Sequence, residues 1–167
     1  MSVLGELQPN KVFKYFEEIC SIPHGSRNLQ QISDYLVDFA KAHEVKYRQD
    51  EDLNVIIWKD GSKGYEASEP VILQGHMDMV AVKEADCDKD MEKEGLDLEI
   101  NGDYISAKGT SLGGDDGIAV AYTLAVLDDE EMAHPPIEAI FTVNEEIGML
   151  GAATIDVSDL KGRLFMN

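Results

Sequence analysis

Basic residues are scarce in this 167-residue chain: 14 lysines and arginines stand against 33 aspartates and glutamates, for a formal net charge of -19. That imbalance excludes a nucleic-acid backbone or an anionic membrane surface as the main partner, since both would be repelled. Cations and neutral or basic small molecules remain. Most of the carboxylates are read as a solvated acidic surface that aids solubility. Long apolar runs are also missing, and none approaches the roughly 20 residues of a membrane span. Residues 1–6 show neither the basic nor the apolar segment of a secretory signal. There are only two cysteines, Cys20 on the apolar side of a helical pattern and Cys87 in an acidic loop. Their placement excludes a disulfide framework and a thiolate metal site, and a reduced cytoplasmic compartment is expected. Internal repeats and low-complexity linkers are absent too, and 44% hydrophobic residues suffice for one core, so a single domain is expected.

What is present is an alternation of helical and strand patterns. After Pro9, Val12, Phe13, Phe16, Ile19 and Cys20 recur at helical spacing until Pro23. Leu29, Ile32, Leu36, Phe39, Ala40 and His43 form a second stripe, on which His43 reads as a partly covered helix-end residue. Strands are expected at 45–49 and 54–58, followed by a buried one at 70–75. Asn101-Gly102 signals a hairpin between 96–100 and 103–107. A helix over about 115–127, a buried strand at 137–143, a helix at 148–154 and a final strand at 163–167 complete the pattern. Apolar strands alternating with helices predict a three-layer α/β/α domain with a mostly parallel mixed central sheet. In such sheets ligands bind beyond the carboxyl ends of the strands.

Three motifs fall at element ends: His76-Met77-Asp78, Gly113-Gly114-Asp115-Asp116-Gly117 and Asn144-Glu145-Glu146-Ile147-Gly148. In an extended segment residues two apart point the same way, so Asp78 can accept a proton from one nitrogen of His76 while the other binds a metal. A hydrogen-bonded His–Asp pair without metal fits that motif equally well. Asp115 and Asp116 read either as helix caps or, through the two oxygens of a carboxylate, as a bridge between two cations. Adjacent acids after a strand point to different sides, so one of Glu145 and Glu146 can bind metal while the other hydrogen-bonds the attacking water; a pair of exposed acids is the plain alternative. His24, in Ile22-Pro23-His24-Gly25-Ser26, is a loop histidine without an assigned role. The alternating acids Asp86, Asp88 and Asp90 do not make a calcium loop, because Met91 stands where that loop needs glycine.

As an ordered set, Gly75–Val80, Lys108–Gly117 and Thr142–Ala152 resemble the M20 metallopeptidases, and within them the aminoacyl-histidine (Xaa-His, beta-alanyl-histidine) dipeptidases. The resemblance covers essentially the whole chain. It implies a zinc-peptidase-like fold in which His76 binds one zinc, Asp115 bridges two and Glu146 binds the other. Asp78 would orient His76 and Glu145 would be the general base. Zinc is the implied metal, with cobalt or manganese as alternatives, and the implied substrates are small dipeptides with a C-terminal histidine. Asp116 stands where these dipeptidases commonly carry asparagine. Two further ligands, the lid domain and the C-terminal part of the catalytic domain would lie outside residues 1–167, which are then the N-terminal part of a truncated catalytic domain. The chain alone is accordingly expected to be inactive, and the complete enzyme is compatible with a homodimer. A non-catalytic divalent-cation-binding fragment and a related aminoacylase or di/tripeptidase are the alternatives.

Overall fold

The computed structural model describes residues 2–167. Two helices open the chain. In α1 (Asn10–Cys20), Val12, Phe16, Ile19 and Cys20 are buried at the expected spacing, while Tyr15 is buried as well and Phe13 is only half-buried. In α2 (Gln30–Ala42), Ile32, Leu36, Val37, Phe39 and Ala40 are buried in the same way. The strands β1 (Lys46–Gln49), β2 (Val55–Lys59) and β3 (Val71–His76) follow. A separate hairpin of β4 (Leu98–Asn101) and β5 (Tyr104–Ala107) then precedes α3 (Gly114–Leu127). Its loop is Gly102-Asp103, one residue later than the Asn101-Gly102 signal suggests, with Asn101 closing the ladder opposite Tyr104. The chain ends with β6 (Ile137–Thr142), the short helix α4 (Leu150–Thr154) and β7 (Leu164–Met166).

Five strands form one mixed sheet in the order β1-β2-β6-β3-β7. The pairs β6/β3 and β3/β7 are parallel, while β1/β2 and β2/β6 are antiparallel. A five-residue link between β1 and β2 is too short for a parallel crossover, which accounts for the first antiparallel pair. Side chains alternate across the sheet. Val55, Ile57, Ala139 and Phe141 face the main core with α1, α2 and α3, and Ile56, Ile72 and Ile140 form a smaller cluster capped by Trp58, Ile155 and Leu160. The second face is thinly covered: Met149 and Phe165 remain more than half exposed. Among the described residues, no helix is long and apolar enough to cross a membrane.

Candidate metal centre

Parallel pairing sets His76 opposite Thr142, so β3 and β6 release the chain at the same end of the sheet. Beyond β6, Asn144 adopts left-handed backbone with φ 53°, a region asparagine tolerates better than most residues. The turn presents both acids to the histidine. Glu145 Oε2 lies 3.7 Å from His76 Nε2. One ligand atom from each of His76, Glu145 and Glu146 falls within 4.8 Å of the others.

The glycine-rich motif reaches the same place from the other side. Gly113 has φ 68°, and a Cβ built there would lie 2.9 Å from Met79 Sδ, so both the dihedral and the space demand glycine. Asp115 and Asp116 have non-helical dihedrals, and no side chain caps α3. The capping explanation therefore fails, and both carboxylates are available to the site. Asp115 Oδ1 is 3.2 Å from His76 Nε2, with its side chain 88% exposed. Asp116 turns inward, and its Oδ2 accepts the His76 backbone N–H at 3.2 Å.

Asp78 sits differently from the alternation argument, because β3 stops at His76 and residue 78 is no longer extended strand. His76 Nδ1 donates to the Asp78 backbone carbonyl at 2.9 Å, whereas the nearer carboxylate oxygen is 3.6 Å away. The carboxylate itself is fully buried and accepts from Glu145 N at 3.0 Å, Glu146 N at 3.4 Å and the Ser26 hydroxyl at 2.8 Å. It thus ties the backbone of the third motif to the first.

The charges follow from these contacts. Burial opposes protonation of His76, but the Asp78 contacts and the Asp116 charge outweigh it and raise the ring to about 9. Burial pushes Asp78 upward, yet His76, the two backbone amides and Ser26 hold it below its ordinary value. Asp116 is raised by burial, assisted by Asp115 and Glu145 against the opposing pull of His76. Glu146 is raised by burial together with Asp115 and Glu145, again against His76. The negative charge around His76 favours a cation at this position, whether a proton on the ring or a metal ion.

His76, Asp115, Asp116 and Glu145 line an open cleft of about 500 Å³ together with the apolar side chains of Ile140, Ile155, Val157 and Phe165. The three-residue ligand group contains Glu145, expected as the base, and leaves out Asp115, expected as the bridge. His24 is buried with Nδ1 bonded to the Ile22 carbonyl at 2.6 Å, and burial lowers its pKa. Ser26 and the Asn144 side chain, which accepts the Arg27 N–H at 2.8 Å, escape sequence reasoning. Neither contact has a local signature, since their partners lie 52 and 117 residues away.

An imidazole and several carboxylates gather at parallel strand ends of an α/β sheet, and the fold matches that of solved peptidases. Among solved structures, an aminoacylhistidine dipeptidase from Vibrio alginolyticus shares 39% identity with a TM-score of 0.94, covering 97% of this chain and 33% of that one. A tripeptidase from Staphylococcus aureus, at 22% identity and TM-score 0.77, shares the fold. The cytosol non-specific dipeptidase of Escherichia coli (strain K12) is 39% identical over 167 residues, which is 100% of this chain and 34% of the relative. No family model matches. Over its whole length the chain is similar to these dipeptidases, and it spans about a third of the length of these relatives.

Proposed function

We propose that the chain is the N-terminal part of the catalytic domain of a cytoplasmic, metal-dependent dipeptidase acting on small peptides with a C-terminal histidine. The observation that carries this reading is the placement of Glu145 Oε2 3.7 Å from His76 Nε2 inside a group of possible metal donors. That donor set suits a borderline cation such as zinc: one imidazole whose Nδ1 is already engaged, leaving Nε2 for a metal, and surrounding carboxylates. His76 would hold one ion, Glu146 the other, and Asp115 would offer one oxygen to each. When bound, such ions would polarise the peptide carbonyl and acidify water beside it. Glu145 takes the proton of the attacking water and passes it to the departing amine. Asp78 fixes the backbone of Glu145 and Glu146, while its own carbonyl orients the His76 ring. The lid and the remaining ligands belong to the part of the enzyme outside this chain, which alone is inactive.

Glu145→Gln in the complete enzyme tests the reading. The amide keeps the shape and removes the proton acceptor, so metal content stays near the parent's while turnover on a Xaa-His dipeptide falls by roughly 10²–10⁴-fold. Turnover within a few-fold of the parent would assign the base elsewhere. A parent without metal or peptidase activity would favour the non-catalytic cation-binding reading.

A further inference from the structure

We propose that Ser26 is a positioning residue for the metal centre, acting through the Asp78 carboxylate; the inference rests on the metal-centre reading above. Asp78 joins the first motif, the third motif and Ser26. Its Oδ1 faces both His76 Nδ1, at 3.6 Å, and Glu145 N, at 3.0 Å. Its Oδ2 serves Glu146 N at 3.4 Å and Ser26 Oγ at 2.8 Å. The Ser26 bond is the shortest of these contacts and the only one from a side chain outside the two motifs. It fixes the rotation of the carboxylate plane, and that rotation decides whether Oδ1 meets the Glu145 amide.

Ser26 is itself held firmly. Met79 N donates to the His24 carbonyl at 3.1 Å, Ser26 N donates to the Met79 carbonyl at 3.2 Å, and Arg27 N donates to Asn144 Oδ1 at 2.8 Å. Residues 24–27 thus brace the segment leaving β3 on one side and the acid-bearing turn on the other. Arg27 and Asn144, the two residues joined across this brace, both have left-handed backbone, with φ of 72° and 53°. Such conformations persist where surrounding bonds over-determine them. Partners that orient ligands from behind typically change metal affinity by about 10–100-fold when lost. Ser26 occupies that position for Glu146, through the amide that Asp78 holds.

The test compares Ser26→Ala and Ser26→Thr with the parent, all in the complete enzyme, by two readouts. With chelator present, amide hydrogen exchange of Glu145 and Glu146 speeds up by about tenfold in Ser26→Ala, the scale of one lost hydrogen bond, while the β3 and β6 ladders keep their protection. With zinc, competition against a chromophoric chelator shows affinity about 10–100-fold weaker in Ser26→Ala and restored by Ser26→Thr. Should Ser26→Ala fail to fold, Ser26→Cys, which keeps the size but donates weakly, is measured in its place. Exchange that is unchanged, or faster across the whole sheet, overturns the positioning role. So does zinc affinity within about threefold of the parent. A parent that binds no zinc would instead sink the metal reading, and the exchange data would still decide the role of Ser26.

Discussion

Raising the pH in the presence of chelator should destabilise the metal-free chain through His76. Against the cost of burial, the Asp78 contacts and the Asp116 charge push the folded ring up to about 9 from its ordinary 6.5. A group whose folded pKa is raised contributes stability that is complete below its unfolded pKa and is lost as pH rises through the folded one. The window therefore runs from 6.5 to about 9. At about 1.36 kcal/mol per pH unit the full loss is about 3 kcal/mol. This is an upper bound, because the raising contacts come from Asp78 and Asp116 around a ring that lines an open cleft, where water and salt screen part of their charge. Against a total stability of about 5–15 kcal/mol the effect is large. Urea unfolding followed by circular dichroism, at intervals from about pH 6 to pH 10, should show the decline in the parent and a flatter profile in His76→Gln. Parallel profiles, or a directly observed ring titration near the ordinary histidine value, would refute the electrostatic account of the cluster.

Zinc must displace the His76 proton, so affinity should rise by up to about tenfold per pH unit below the folded pKa; a flat profile in chelator competition would put the first ligand elsewhere. Gly113→Ala forces a Cβ against Met79 at φ 68°, and should cost about 2 kcal/mol or more in urea unfolding. Phe141, fully buried where β6 meets the main core, should cost about 3–5 kcal/mol when changed to alanine, read from the same unfolding curves.

Much of the fold was legible because its elements carry strong local patterns. The stripes of α1 and α2 and the apolar runs of β3 and β6 announce burial directly. Strand partnership was less legible: β2 pairs with β6 across about eighty residues, and no local pattern reports that ladder or its antiparallel sense. Residues of the candidate site stood out as short acidic motifs at element ends, but their contacts did not. The direction of Asp78 depends on where β3 stops, and its real partners are Ser26 and two backbone amides. Similarly, the choice between cap and free carboxylate at Asp115 and Asp116 turned on dihedrals that composition does not encode.

The central claim is that His76 and the acids around it form one metal centre. Crystals of the complete enzyme soaked in zinc, with anomalous scattering recorded at the zinc edge, test it most directly. The account predicts a peak within about 2.0–2.2 Å of His76 Nε2 and of carboxylate oxygens from Asp115 or Glu146. A zinc peak confined to other residues, such as the acidic stretch 86–94, with His76 Nε2 still paired to Asp115, would contradict it.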